Sequence, residues 1–347
     1  MAYRCLILGA SYGSLLGTKL LMAGHDVTLV CRRKTADLIN AHGTEVRIRM
    51  KGDPEHTAIR STELPGNLTA CTPQNILASE YDLVGLAMQE PQYAHHTIRT
   101  VLIRIAEEQI PCLSIMNMPP LTYLKRIPDL NTSSLAASYT DPTVWDRFDP
   151  DFMTLCSPDP QAFRPPEENG NILHVGLPTN FKAAKFEDPA ANKILHDLEE
   201  GIAGVRLGDR DVPVKLRVHD SIFVPLAKWS MLLTGNYRSI TRAEPRSIRD
   251  AVHSDLEKSR AIYEFVNSLA QRLGAAPTDA VPFDKYAKAA ESLLKPSSVA
   301  RAVAAGAPFI ERVDVLVQLI AKDLGMRSLE IDDTVNIVDE QLELNVL

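Results

Sequence analysis

Residues 4–31 read RCLILGASYGSLLGTKLLMAGHDVTLVC, and this stretch decides the fold class. Arg4 to Leu8 is a short apolar run with the character of a buried strand. A glycine turn follows, Gly9-Ala10-Ser11-Tyr12-Gly13-Ser14. Leu15, Leu16, Leu20 and Leu21 then recur at helical spacing, and Gly24 stands where a left-handed residue ends a helix. Residues 26–31 are a second apolar, β-branched strand. Strand, turn, helix and strand within about 30 residues make a βαβ unit, and such units build parallel sheets.

The same alternation continues outward. The pattern predicts helices over 35–42, 93–109 and 193–202. It predicts strands over 45–49, 83–87, 111–116, 134–139, 172–176 and 205–207. Residues 141–171 are rich in Pro, Asp and Glu and read as an irregular insertion. From about residue 220 strand signals give way to amphipathic helices over 221–233, 247–273, 281–294 and 309–324. The expected class is α/β: a Rossmann-like parallel-sheet domain over 1–212, then an all-α domain over 213–347. The late helices suit either a homodimer interface or packing within one domain.

Composition narrows the partners. A formal net charge of −7 lacks the basic surplus of a nucleic-acid binder. No apolar run reaches the roughly 18 residues of a membrane span. The apolar start is not followed by an A-x-A-like cleavage site, so a cytoplasmic protein is expected. The five cysteines, Cys5, Cys31, Cys71, Cys112 and Cys156, form no C-x-x-C pair and fit a reducing compartment. Cys5 and Cys31 sit in apolar runs and read as small core residues. His95 and His96 lack acid or thiol neighbours at ligand spacing, so no metal site is expected. G-x-S-x-G is absent, which removes support for hydrolase chemistry.

The first turn has the features of a pyrophosphate site, where glycines admit the phosphates and a helix N-terminus supplies N–H groups. Gly9, Ser11, Tyr12 and Gly13 are the candidate residues, in a turn one residue shorter than G-x-G-x-x-G. A tight glycine turn without a ligand is the alternative. At the end of the second strand an NAD site places an acid for the ribose hydroxyls. Here stand Arg32-Arg33-Lys34, and guanidinium groups suit a 2′-phosphate, so NADP(H) is favoured over NAD(H). A solvated helix start is the bland reading, although cations there oppose the helix dipole.

With these motifs in place, ILGASYGSLLGTKLLMAGHDVTLVCR resembles the opening of the ketopantoate reductase (2-dehydropantoate 2-reductase) family. The resemblance runs in order along nearly the whole chain, except over about 140–170. It implies a Rossmann domain followed by a helical domain like that of 6-phosphogluconate dehydrogenase. It also implies NADPH-dependent reduction of a 2-oxo acid in the cleft between them, a step of pantothenate biosynthesis. By position, Arg32 matches the arginine that reads the 2′-phosphate. Asn117 matches the strand-end Asn that touches nicotinamide and substrate. Lys228 in AKWSMLLTGNYRSIT matches the general acid, and Asn236 a substrate-binding Asn. KPSS puts Ser298 at the position that binds the substrate carboxylate. Several positions depart from the family. Met118-Pro119-Pro120 replaces the Gly after Asn117, Leu232 stands for a second helix Asn, and Gln89 for a cofactor-contacting Lys. Glu311 is nearest to the family Glu, one or two residues out of register.

Hydride transfer to a carbonyl builds negative charge on oxygen, which a positioned donor must meet. Lys228 lies among Phe223, Val224, Leu226, Trp229 and Leu233, so its amine is partly desolvated, which eases proton donation. Each candidate also has a structural alternative. Lys228 can lie along the surface with its head in water, Asn236 can cap a helix after Gly235, and Ser297 or Ser298 can cap the next helix. Glu311, taken alone, reads as a solvated helix residue. Two further functions stay open: an opine-type dehydrogenase that reduces an imine, and a non-catalytic NADP(H) sensor.

Overall fold

Four consecutive buried residues follow Arg4 in strand β1 (Arg4–Leu8), as expected of a strand covered on both faces. The computed structural model describes residues 2–346. After β1 come β2 (Asp26–Val30), β3 (Glu45–Arg49), β4 (His56–Arg60), β5 (Leu68–Cys71), β6 (Leu83–Leu86) and β7 (Cys112–Ile115). The remaining strands are β8 (Met153–Ser157), β9 (Gln161–Phe163), β10 (Ile172–Leu177), β11 (Phe181–Ala184), β12 (Arg206–Leu207), β13 (Arg210–Asp211) and β14 (Leu216–His219). Helices α1 (Gly13–Met22), α2 (Arg33–His42), α3 (Glu90–Tyr93), α4 (His96–Glu107), α5 (Leu121–Leu124) and α6 (Pro189–Gly204) are interleaved with them. Then follow α7 (Lys228–Met231), α8 (Ile248–His253), α9 (Leu256–Arg272), α10 (Phe283–Ala290), α11 (Ser298–Ala304), α12 (Val313–Asp323) and α13 (Leu329–Val346).

The chain divides into two units. The α/β unit runs to Met88 and includes Gln92–Tyr123 and Val144–Asp220; the helical unit takes Gln89–Pro91, Leu124–Thr143 and the chain from Ser221 onward.

In the α/β unit an eight-stranded sheet has the order β14-β11-β8-β7-β6-β1-β2-β5. Its pairings are parallel except that of β8 with β11. β1 pairs with β2 on one side and β6 on the other, so the winding reverses there. Open α/β sheets bind ligands beyond the strand ends at such a switch point. Helix α1 is buried from Gly13 to Leu21. A second sheet, β4-β3-β10-β9, packs Val46, Ile48, Ile59, Leu173 and Val175 into the same core.

Several expectations need correction. The supposed insertion over 141–171 contains β8, a fully buried strand between β7 and β11. Its polar residues hid it; Thr154 is satisfied inside by donating its hydroxyl to the Ala184 carbonyl at 2.6 Å. Residues 134–139 are not a strand. Thr132–Ser138 forms a 3₁₀ helix, with the Asn131 side chain accepting from the Ser133 amide at 3.2 Å. That segment belongs to the helical unit, packed on α12. The α/β unit extends to Asp220, beyond residue 212. The long helix over 221–233 is a series of short turns, 3₁₀ at Pro225–Ala227, α7, then a π turn at Leu232–Asn236. The helix over 247–273 is two, because Asp255 caps α9 by accepting from the Lys258 amide at 2.9 Å. Among the described residues no helix is long and apolar enough to cross a membrane.

Candidate functional site

Gly9 follows β1 with φ of +106°, and a Cβ there would stand 2.6 Å from the Ala87 carbonyl oxygen. Only glycine holds that left-handed, crowded position. Its amide donates to the Val30 carbonyl at 3.0 Å, which fastens the turn to the end of β2. Ser11 is exposed, and Gly13 opens α1 with the place of a Cβ 2.5 Å from Ile7 Cγ2. No side chain caps α1, and its first turn carries no acid. With main-chain partners alone for the Ser14 and Leu15 amides, at 3.4 and 3.0 Å, the positive dipole end of this helix start suits a phosphate. Tyr12 contributes backbone only, because its hydroxyl donates to the Pro160 carbonyl at 2.6 Å and its ring meets Phe181 edge-on.

Arg32 stands exposed at the cap position of α2, just past β2. Its neighbour Arg33 pairs with Asp37 at 3.1 Å, whereas Arg32 has no ion pair among the described residues. A second guanidinium reaches the glycine turn. Arg164 donates from Nη2 to the Ala10 carbonyl of the glycine turn at 2.7 Å. No local signal marks it, since the contact spans 154 residues.

Asn117 lies two residues beyond β7, half-buried, with Oδ1 shielded from solvent. The Met118-Pro119-Pro120 loop that follows is buried. Gln89 is exposed and belongs to the helical unit.

In the helical unit Lys228 opens α7 and is half-buried. Asn236 ends the π turn in helical conformation, φ −65° and ψ −50°, so it is no cap. The π turn has a geometric consequence. Eight residues along a regular helix rotate a side chain by about 80° beyond two turns. A π turn absorbs about one residue, which returns Asn236 to within about 20° of the Lys228 face. Gly235 makes this packing possible, because a Cβ there would lie 2.2 Å from Tyr286 Oη.

Ser297, not Ser298, caps α11; its hydroxyl accepts from the Ala300 amide at 3.1 Å and donates to the Asn236 carbonyl at 2.7 Å. Ser298 is the exposed first residue of α11, beside that clasp. Asn236 and the Ser297-Ser298 pair are thus brought together. Glu311 is not a solvated helix residue. It is 4% exposed, precedes α12, and accepts from the Glu90 amide at 3.4 Å, while its carbonyl accepts from the Tyr237 hydroxyl. Nothing local in the sequence marks Glu90. It is 2% exposed and accepts from the Thr140 amide at 3.1 Å and hydroxyl at 2.8 Å. Burial raises its carboxyl pKa, outweighing those two hydrogen bonds. A groove lined by Arg238, Arg242, Arg246 and Lys258 lies elsewhere in this unit and contains none of the candidate residues.

No family model and no curated protein matches the chain. Solved structures do. A 2-dehydropantoate 2-reductase from Methylococcus capsulatus is 13% identical, with a TM-score of 0.68 over 98% of this chain and 96% of that one. A ketopantoate reductase from Ralstonia eutropha is 14% identical, with a TM-score of 0.62 over 99% and 100%. D-Mandelate dehydrogenase, solved with NADH and anilino(oxo)acetate, is 13% identical, with a TM-score of 0.65 over 99% and 100%. At such identities the likeness is one of fold, and the chain is a sequence-distant bearer of the ketopantoate reductase fold.

Proposed function

We propose that the protein is an NADP(H)-dependent reductase that converts a 2-oxo acid to the 2-hydroxy acid. The carrying observation is the glycine turn at the sheet's switch point, followed at the end of β2 by an exposed Arg32 with no ion pair among the described residues. The residues fit the cofactor: the uncapped start of α1 suits the pyrophosphate, and Arg32 the 2′-phosphate. When bound, the dinucleotide supplies a hydride equivalent for the carbonyl carbon. The chain's own part is to meet the charge that develops on oxygen. Lys228 Nζ gives a proton to that oxygen, leaving a hydroxyl and a neutral amine that solvent reprotonates. Asn236, which the π turn supports on the Lys228 face, is assigned to hydrogen-bond the substrate. Ser298, at the start of α11, is suited to its carboxylate.

The fold is shared with proteins named for ketopantoate and for D-mandelate, so two acceptors lead: ketopantoate and an aryl 2-oxo acid. The deciding experiment follows NADPH and NADH absorbance with a panel of 2-oxo acids, each with and without an added amine. Turnover on an oxo acid alone, faster with NADPH, is expected. Turnover only with the amine would transfer the assignment to imine reduction. Tight cofactor binding with no turnover on any acceptor would leave a sensor.

A further inference from the structure

The segment that pairs through β9 and β10 touches the glycine turn at two points. Tyr12 donates its hydroxyl to the Pro160 carbonyl at 2.6 Å. Arg164, the residue after β9, donates from Nη2 to the Ala10 carbonyl at 2.7 Å. This is the one hydrogen bond Arg164 makes among the described residues, and its Nε is shielded from solvent without a partner. A guanidinium carries five N–H donors, so most of its capacity is unused in a half-buried place.

No acid neutralises it. Among the described residues neither Arg164 nor Arg32 has an ion pair; Asp37 pairs with Arg33 at 3.1 Å and Glu168 with Arg47 at 2.8 Å. Arg32 is near enough for its charge to act on Arg164. Burial lowers the proton affinity of the Arg164 guanidinium; the Cys31 sulfur opposes this, and Arg32's like charge adds to it. A guanidinium fixed on the glycine turn with donors unused, and an exposed Arg32 at the end of β2, suit an anion.

We propose that Arg164 is a specificity-determining residue for the cofactor, gripping the adenosine 2′-phosphate together with Arg32. This rests on the NADP(H) reading above. The position separates the 2′-phosphate from the pyrophosphate. The latter belongs over the start of α1. Ala10, by contrast, adjoins the end of β2 through the Gly9–Val30 hydrogen bond, where the adenosine ribose is read.

The test titrates the full chain with NADPH, NADH, 2′,5′-ADP and 5′-AMP, in the wild type and in Arg164→Gln, Arg164→Lys and Arg32→Gln. Loss of a charge-assisted hydrogen bond corresponds to about tenfold or more in affinity. Arg164→Gln is therefore expected to weaken NADPH and 2′,5′-ADP by that factor, and to leave NADH and 5′-AMP within about threefold. Arg164→Lys keeps the charge but not the fork and falls between. An unchanged NADPH-to-NADH ratio in Arg164→Gln overturns the proposal, whether both affinities stay or both fall. The melting temperature without ligand checks folding, and Arg164→Lys carries the test if the Gln variant unfolds. A wild type that binds neither dinucleotide, or prefers NADH, sinks the NADP(H) reading itself, a result separable from any behaviour of the variants.

Discussion

Ser297 Oγ donates to the main-chain carbonyl of Asn236 at 2.7 Å while it accepts from the Ala300 amide at 3.1 Å. One hydroxyl thus caps α11 and fastens it to the end of the π turn. Ser297→Ala removes both bonds and leaves a part-buried carbonyl without this donor. The expected cost is about 1–3 kcal/mol, read as a lower urea midpoint at unchanged slope. Ser298→Ala, at an exposed position, is expected within about 0.5 kcal/mol of wild type. Under the proposed function it raises KM for the oxo acid instead. Equal midpoints for the two variants would remove the clasp from the account.

Lys228 tests the chemistry. A positioned general acid contributes about 10²- to 10⁴-fold to rate. Lys228→Ala is expected to lower kcat within that range, with cofactor affinity within about twofold of wild type. Partial rescue by an added primary amine would identify the missing group as a proton donor. Unchanged kcat would return Lys228 to a surface role.

Gly9 and Gly52 separate crowding from backbone conformation. Both have positive φ, +106° and +90°, but a Cβ at Gly9 meets the Ala87 main chain at 2.6 Å, whereas one at Gly52 meets nothing within 4 Å. Gly52→Ala carries only the left-handed penalty, about 1 kcal/mol. Gly9→Ala adds a clash that no side-chain rotation relieves, so a loss of about 2–4 kcal/mol and of dinucleotide binding is expected. Equal destabilisation of the two variants in denaturant melts would contradict the close approach at Ala87.

Local pattern made β1, α1 and β2 legible, because an apolar strand, a glycine turn and a helical leucine spacing act over a few residues each. Arg32 was legible for the same reason, standing directly at a strand end. What escaped depends on distant partners. β8 looks irregular because Thr154 finds its acceptor at Ala184, 30 residues on. Arg164 has meaning only through Ala10, and the need for Gly235 arises from Tyr286. Glu311 reads as a solvated carboxylate until the fold buries it, and Glu90, buried beside it, has no local signal at all. The 3₁₀ segment Thr132–Ser138 was assigned to the wrong half, since nothing in its own residues reveals that it packs on α12.

Lys19 supplies a pH signature of folding. It is 1% exposed within α1, and its amine donates to the Pro213 carbonyl at 3.1 Å and the Val212 carbonyl at 3.4 Å. Burial, with the like charge of Lys215 adding, lowers its pKa to about 7. An unfolded lysine titrates near about 10.4. Between these values the unfolded chain holds a proton that the folded chain has released, so stability rises with pH across that window. Below pH 7 both states are protonated and Lys19 adds no further slope. From pH 7 to 8.5 the gain is about 1.6 kcal/mol, because Lys19 is half-titrated at pH 7 and the slope reaches about 1.36 kcal/mol per pH unit only above it. Cys5, whose thiol burial pushes up to about 12, acts with the opposite sign, as do Cys31, Cys71 and Cys112, whose thiols burial also raises; their effect sets in as unfolded thiols ionise near about 8.5 and is the same in the wild type and a Lys19 variant. Urea midpoints measured from pH 7 to 8.5 should therefore change more positively with pH in the wild type than in Lys19→Met, which keeps all four thiols. Lys215, its pKa also lowered chiefly by burial, keeps a residual slope of the same sign. Identical slopes in the two proteins would mean that Lys19 is charged in the folded state throughout, held by the two carbonyls despite its burial.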